Sequence, residues 1–227
     1  MRTVYVSPSD FPWLFDACPR CYWRKCNGFQ KPRSRSAAMH LGTAFDSAAK
    51  AHIKAQGAKA IGCPLDLAEP VSRTRVESKP ISFPEHGINL VVRGNLDQAF
   101  TTTDDGFVIV DFKAGSSDPT EFWAQLMLYL WAVENPARET PQEVEAIGII
   151  GLDFSAPSLK ISESNQAALI GSIAWHSLEI DRERLLKKMG DVASVAAASS
   201  PPEAGKWCDF CRSVELAKEG DLKKVAA

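Results

Sequence analysis

Two short cysteine pairs at opposite ends of the sequence constrain the fold of this chain most strongly. Cys18 and Cys21 form one C-x₂-C pair, and Cys208 and Cys211 form the other. This spacing lets both thiolates of a pair bind one metal, and four soft ligands make a closed site for Zn²⁺ or an iron–sulfur cluster. A shared site would join the two ends of a chain of 227 residues. Cys26 is a spare candidate ligand, and Cys63 is expected to be a small apolar residue.

The balance of charge excludes two classes of protein and permits nucleic-acid binding only through a local surface. The chain has 26 basic and 28 acidic residues and is 45% hydrophobic, unlike a disordered tail or a blanket polycation. A basic stretch without acidic residues runs from Arg20 to Arg35, interleaved with Tyr22, Trp23 and Phe29. It could follow a phosphate backbone, or it could be a solvated face with its aromatics in the core. The candidate DNA contacts are Arg20, Arg24, Lys25, Arg33 and Arg35.

No segment has the features of a targeting sequence or a membrane span, so we expect a cytoplasmic protein. Apolar periodicity and turn residues predict helices alternating with strands, and therefore an α/β fold with a mixed central sheet flanked by helices. The predicted helices are a Ser7-capped segment running towards Cys18, then 37–55, 119–133 and 181–198. The predicted strands are an antiparallel meander of 71–77, 88–100 and 106–113, followed by 143–154 and 173–180.

Two carboxylates and a lysine lie at the ends of adjacent predicted strands. Asp111 and Lys113 are two residues apart on one strand, so both side chains point to the same face, and Asp97 ends the strand before it. Two carboxylates and the Phe112 carbonyl could hold Mg²⁺ or Mn²⁺, with Lys113 orienting or deprotonating a water or stabilising phosphate charge. The alternative is a structural ion pair between Asp111 and Lys113, with Asp97 in a turn.

Gln125 and Tyr129, four residues apart on one face of an otherwise apolar helix, are polar enough to form a wall of such a site. The ordered set Gly94-x-x-Asp97, Asp111-x-Lys113 and Gln125-x-x-x-Tyr129 resembles the motifs of the PD-(D/E)XK nuclease superfamily. The most similar branch is the RecB-like one, which includes CRISPR-associated iron–sulfur exonucleases and the nuclease domain of AddB. The resemblance extends over roughly residues 7 to 211 and includes the Ser7-Pro8-Ser9 opening.

This resemblance implies one nuclease domain, 1–227, with a restriction-endonuclease-like core at 37–198 and a metal clamp formed by 7–35 and 199–213. It implies Asp97 and Asp111 as metal ligands and Lys113 as the catalytic lysine, while Gln125 and Tyr129 support the site or contact the DNA backbone. The implied activity is metal-dependent exonuclease cleavage of single-stranded DNA in repair, recombination or CRISPR adaptation, with a partner protein. Two alternatives stay open: a non-catalytic DNA-binding accessory subunit, and a zinc-clamped interaction module.

The sequence departs from the branch at two places. The branch has a histidine metal ligand in a G-x-x-x-H motif, whereas Asp46 follows Gly42 at that spacing here. A carboxylate still suits Mg²⁺ or Mn²⁺, so Asp46 is expected as a ligand, against the alternative of a solvated helix residue.

The relatives place one cysteine near the N-terminus and three near the C-terminus, whereas this chain has two and two. The resemblance favours [4Fe–4S] at these cysteines, and the arrangement is also a zinc pattern.

Overall fold

A computed structural model describes most of the chain. The described residues are 1–29, 37–56, 63–65, 67–72, 74–104, 106–115, 118–161 and 167–214. Two of the candidate DNA contacts, Arg33 and Arg35, lie outside these residues. Within the described part of the chain, none of the helices combines the length and the apolar character needed to cross a membrane.

In the described residues, nine strands form two mixed sheets, and four α-helices accompany them. In the first sheet β1, β3 and β4 all pair with β5, and the second has the order β2-β6-β7-β8-β9. The pairs β1–β5 and β7–β8 are parallel and the other strand pairs are antiparallel. These mixed sheets with helices confirm the predicted α/β class. The strands β1 to β9 are Arg2–Val6, Leu67–Pro70, Arg75–Glu77, Ile81–Phe83, Ile88–Asn95, Gln98–Thr102, Phe107–Ala114, Val144–Ile161 and Ala167–Leu178. The helices α1 to α4 are Pro19–Cys26, Ala37–Gln56, Trp123–Glu134 and Arg182–Ala197.

The predicted three-stranded meander is wrong in one respect, because its middle strand is two strands that belong to different sheets. β5 pairs with β3 and β4, whereas β6 pairs with β2 and β7. Leu96, between β5 and β6, is buried and keeps the apolar pattern unbroken through the bend, so the sequence reads as one strand. The backbone N–H of Leu96 donates to the Thr74 carbonyl at 2.8 Å and fixes the bend. The bend places Asp97 at the junction of the two sheets.

The second sheet is covered on both faces. Alternate residues of a strand point to opposite sides, so Ile109 of β7 packs in the same core as Leu126 and Leu130 of α3. Val108 and Val110 face the other way and pack with Phe45 of α2. Asp111 and Lys113, the candidate site residues of β7 that share a face with Ile109, therefore face α3.

The N-terminal segment differs from its prediction. The expected helix starting at Ser7 is instead a 3₁₀ turn at Pro8–Asp10 and a π-helical turn at Pro12–Asp16, and Ser7 makes no side-chain cap bond. Two prolines without backbone N–H groups interrupt the regular helical hydrogen-bond ladder. Strand β1, which the sequence analysis did not predict, precedes these turns and pairs in parallel with β5.

Three other predictions were closer to the structure. Asp181 caps α4, because its Oδ1 accepts the backbone N–H of Arg184 at 2.9 Å. The two predicted C-terminal strands form the antiparallel pair β8–β9, which extends beyond both predicted segments. The predicted helix 119–133 divides into a 3₁₀ turn at Pro119–Phe122 and α3.

Candidate active site and candidate metal centre

The strand β7 and the helix α3 bring Asp111, Lys113 and Gln125 together. Asp111 is almost fully buried, and the Gln125 Nε2 donates to its Oδ1 at 2.8 Å. The Lys113 ammonium contacts the other oxygen, Oδ2, and lies 4.7 Å from the centre of the Phe122 ring. The predicted ion pair and the predicted contact with α3 therefore coexist around one carboxylate.

Asp97 completes a carboxylate pair where the ladder between β6 and β7 ends. The last residue pair of that ladder is Gln98 with Val110. Beyond it, the Phe112 N–H donates to the Asp97 Oδ2 at 3.2 Å, so a side chain replaces the missing strand partner. The N–H and C=O of one strand residue point to the same side. The Phe112 carbonyl therefore also points towards the gap beside Asp97, as a metal-binding carbonyl would.

The electrostatics of this pair suit a cation. Burial raises the pKa of Asp111 to about 7; the neighbouring Lys113 opposes this shift, and the charge of Asp97 adds to it. Two close carboxylates with little water around them are poorly stabilised as anions, and a divalent ion with oxygen ligands offsets both charges. The Oδ2 of Asp111 lies against Lys113 but forms no hydrogen bond of normal geometry. An ion bound at Oδ2 would displace the ammonium from that oxygen.

Tyr129 supports the site through the backbone rather than through the carboxylates. Its hydroxyl donates to the Asn95 carbonyl at 2.6 Å, two residues before Asp97. Burial, and then the charge of Asp111, raises the pKa of Tyr129, which keeps this donor protonated. A Cβ on Gly94 would lie 3.0 Å from the Tyr129 ring and 3.0 Å from the Pro8 ring. Close packing of these two rings therefore accounts for the glycine of the Gly94-x-x-Asp97 motif.

Asp46 lies on α2, which packs against the opposite face of β7 through Phe45 and Phe112, whose ring centres are 6.1 Å apart. The Asp46 side chain is 30% exposed and pairs with Lys50, Nζ to Oδ1 2.8 Å. Asp46 does not form a group with Asp97 and Asp111 in which the carboxylate oxygens all lie within 4.8 Å of one another. The structure thus gives Asp46 a lysine partner on its own helix.

The four cysteines of the two C-x₂-C pairs meet in one buried cluster. Their sulfurs all lie within 4.8 Å of one another, and three of the Sγ–Sγ distances are 3.5, 3.6 and 3.7 Å. A zinc ion with Zn–S bonds of about 2.3 Å has tetrahedron edges of about 3.8 Å. In a four-iron cluster each cysteine binds a different iron, which spreads the sulfurs further apart than around one ion. The observed spacing therefore fits a single tetrahedral ion.

Neighbouring donors complete the cysteine cluster. The Gly205 N–H points at the Cys18 sulfur at 3.3 Å, and the Arg24 guanidinium points at the Cys211 sulfur at 3.5 Å. Burial raises the pKa of Cys18, but the backbone hydrogen bonds from Gly205 and Cys21 outweigh it and bring that pKa to about 7. A Cβ on Gly205 would lie 2.0 Å from the Ala17 carbonyl oxygen, so only glycine fits there. The surroundings thus favour a thiolate at Cys18, whereas burial raises the pKa of Cys21 and raises that of Cys211 to about 11.

The other two cysteines of the chain lie outside this cluster. Cys26 and Cys63 are both half-buried and neither belongs to the four-sulfur group.

Each described basic candidate on α1 has a partner within the chain. The Arg20 Nε donates to the Pro202 carbonyl at 2.7 Å, and the Lys25 ammonium pairs with Asp10 at 2.8 Å. Arg24 contacts the cysteine cluster as described above. The contacts of Arg20 and Arg24 join α1 to the C-terminal segment, and that of Lys25 joins it to the turn Pro8–Asp10. The sequence analysis did not assign these roles.

The comparison with known families now has a structural context. The sequence pattern described as the PD-(D/E)XK nuclease superfamily matches residues 65–215, more than half of the chain. The chain belongs to the PD-(D/E)XK nuclease superfamily. The matched range of this PD-(D/E)XK chain contains both carboxylates, Lys113 and the second cysteine pair, and it leaves the first cysteine pair outside. No curated protein matches the chain.

A solved structure shares the fold. The crystal structure of SSO0001 superposes with a TM-score of 0.50 at 13% sequence identity, covering 87% of this chain and 78% of that one. At this identity the likeness concerns the fold alone.

The structure also places near Lys113 a polar side chain to which the sequence analysis gave no role. His176 of β9 and Lys113 of β7 line the same cleft. The alternation of residues along a strand could not predict that Lys113 and His176 are close, because their proximity depends on the register of the three strands β7, β8 and β9.

Proposed function

We propose that this PD-(D/E)XK protein is a metal-dependent deoxyribonuclease of the RecB-like branch that hydrolyses phosphodiester bonds with Mg²⁺ or Mn²⁺. The observation that carries the proposal is the pair of close carboxylates, Asp97 and the buried Asp111, with Lys113 on the same strand face. A structural ion pair alone would not require the second carboxylate, whose charge makes burial of the first more costly.

The residues of the site have different proposed roles in hydrolysis. Asp97, Asp111 and the Phe112 carbonyl would hold the divalent ion. Asp46, which pairs with Lys50 on α2, is proposed as a further ligand on the resemblance alone. The ion would supply charge stabilisation at the phosphoryl oxygens. Lys113, once displaced from Asp111, is placed to orient the attacking water or to donate to a phosphate oxygen.

The helix α3 holds this arrangement in place. Gln125 occupies one oxygen of Asp111 with its amide and leaves the other for the ion. Tyr129 fixes the end of β5, from which Asp97 follows. Both residues are therefore proposed as positioning residues rather than as groups that react.

For the substrate we propose single-stranded DNA, degraded exonucleolytically in repair, recombination or CRISPR adaptation with a protein partner. The support for this finer proposal is the resemblance to the RecB-like branch. The basic residues Arg20, Arg24 and Lys25, with Arg33 and Arg35, are proposed DNA contacts, although the three described ones also bind within the chain.

A cleavage assay on single-stranded DNA labelled at the 5′ or the 3′ end tests this function. We expect degradation with Mg²⁺ or Mn²⁺ and none with EDTA, and the end label released first reports polarity. Lys113→Ala should reduce the rate at least about 100-fold, whereas the exposed control Lys79→Ala should leave it unchanged. Unchanged degradation by Lys113→Ala would exclude the catalytic role. Binding without cleavage by the wild type would favour the accessory subunit.

For the four-cysteine site we propose Zn²⁺, the alternative to the [4Fe–4S] cluster that the resemblance implies. The supporting observation is the set of sulfur separations of 3.5 to 3.7 Å. Anaerobic purification followed by metal analysis and a visible spectrum tests it. We expect a colourless protein with one zinc per chain; a brown protein with iron and sulfide would contradict the proposal and restore the cluster.

A further inference from the structure

A cleft of about 210 Å³ opens beside Lys113, on the side away from Asp97. Its floor includes Gly151 of β8 and His176 of β9, and the 3₁₀ turn before α3 supplies Phe122 as a wall. The nuclease chemistry described above uses Lys113 but none of the other lining residues. A concave, mostly apolar space with a few polar side chains, directly next to the proposed catalytic lysine, is suited to the part of the substrate that extends beyond the bond being cut.

The register of the sheet places His176 on the catalytic face. Asp111 pairs with Ile149, and Ile149 pairs with His176. Residues paired across neighbouring strands project to the same face, so Asp111 and His176 share it at two strand spacings, about 10 Å. Lys113 lies on this face too, and Lys113 and His176 line the same cleft.

Gly151 keeps the space between Lys113 and His176 open. It pairs with Lys113 on one side, and a Cβ built on it would lie 3.3 Å from the Nε2 of His176. Its backbone does not have a positive φ, so the strand conformation itself does not require glycine. A larger side chain at position 151 would fill the floor of the cleft next to the His176 imidazole.

We propose that this cleft is a phosphate subsite, in which the His176 N–H donates to the phosphate that neighbours the scissile one. The proposal rests on the nuclease function proposed above. Imidazole nitrogens and a lysine ammonium are both donors to phosphate oxygens. Asp153 also lines the cleft and lies two residues along β8 from Gly151, or about 7 Å. Its carboxylate repels a phosphate, so the bound group would lie towards Lys113, whose ammonium offsets that repulsion.

Steady-state kinetics on a single-stranded oligonucleotide with Mg²⁺ test the subsite. His176→Ala should raise KM about tenfold and leave kcat within about twofold, because it removes a hydrogen bond to a charged group that binds substrate and transition state alike. His176→Gln keeps an N–H donor and should recover most of the affinity. Gly151→Val should raise KM by filling the floor. His86→Ala, in the turn Pro84–His86, is the matched control and should behave as the wild type.

Binding measured separately from cleavage distinguishes this inference from the nuclease proposal. Fluorescence anisotropy with Ca²⁺ in place of Mg²⁺ reports the affinity for the same oligonucleotide. Weaker binding by His176→Ala in a protein that never cleaves would support the subsite and refute the nuclease function. Normal cleavage with KM and binding unchanged in His176→Ala would refute the subsite and leave the function intact. A loss in kcat alone, or a lower Tm that His176→Gln does not rescue, would also overturn the inference.

Discussion

The carboxylate site and the four-cysteine site bury ionisable groups in contrasting ways. Asp97 and Asp111 come from neighbouring strands, and their charges are offset in part by Lys113, a residue of the same sheet. The cysteines come from segments almost 190 residues apart and bring no lysine of their own; backbone N–H groups and Arg24 face the sulfurs instead. The first site has Lys113 as a cation of its own, whereas a metal at the second site would bind all four cysteines and add to the contacts by which Arg20 and Arg24 join the two chain ends.

The largest expected effect is therefore on stability at the cysteine site. Cys21→Ser should abolish the stoichiometric metal and lower the free energy of unfolding by about 4–5 kcal/mol or more, as expected when a structural metal is lost. Chemical denaturation with metal analysis measures both quantities. Cys63→Ser is the control and should retain the metal. A Cys21→Ser protein with wild-type stability would show that the cluster does not join the chain ends.

The next effect is a pH dependence at the carboxylate site without added divalent ions. A carboxyl with a raised pKa in the folded protein stabilises the fold below its unfolded pKa of about 4 and loses that contribution as the pH rises through about 7. Asp111→Asn should remove this loss. The variant should therefore exceed the wild type in stability at pH 8 by up to about 4 kcal/mol and match it near pH 4.

Thermal unfolding across this pH range, with and without Mg²⁺, checks the prediction. Mg²⁺ should raise the Tm of the wild type at pH 8 and leave that of Asp111→Asn unchanged. Parallel pH profiles for the two proteins would argue that Asp111 is ionised without penalty in the folded state.

A smaller effect is expected where the two sheets join. Gly94→Ala would place a methyl group 3.0 Å from the rings of Tyr129 and Pro8, and such overpacking costs about 1–3 kcal/mol. It should also lower the cleavage rate, because Asp97 follows three residues later. Gly42→Ala, on α2 with nothing within 4 Å of the added methyl, should instead be neutral or stabilising. Equal effects of the two substitutions would contradict the packing account.

The smallest effect concerns a single hydrogen bond. Tyr129→Phe removes the donor to the Asn95 carbonyl and should cost about 1 kcal/mol in stability. If Tyr129 positions Asp97, kcat should fall while KM for DNA stays constant. Tyr5→Phe, at an exposed tyrosine of β1, serves as the control. A rise in KM with unchanged kcat would assign Tyr129 to DNA contact instead.

Local features of the fold could be predicted from the sequence. The Asp181 cap, the face shared by Asp111 and Lys113, and the C-x₂-C spacing depend on residues within a few positions of one another. Strand β1 was missed because its five residues are paired with β5, more than 80 residues away. The bend at Leu96 was missed because that residue is buried whichever sheet follows it. Apolar periodicity records burial and not the partner strand.

In the candidate site, too, local features could be predicted from the sequence and contacts between distant segments could not. The motifs identified Asp97, Asp111, Lys113, Gln125 and Tyr129, and the structure brings Gln125 to Asp111 at 2.8 Å. The motifs did not indicate that Asp46 would pair with Lys50, or that Arg20 of α1 would bind the C-terminal segment.

By itself, the sequence of this protein determined the residue types that do chemistry and their spacing along each element, because the periods of helices and strands are local. Only the tertiary structure decided that two sheets part at Asp97, that four sulfurs approach to 3.5–3.7 Å, and that His176 lines the cleft of Lys113. These features depend on strand register and on contacts between distant segments. Sequences with the same local pattern can differ in both.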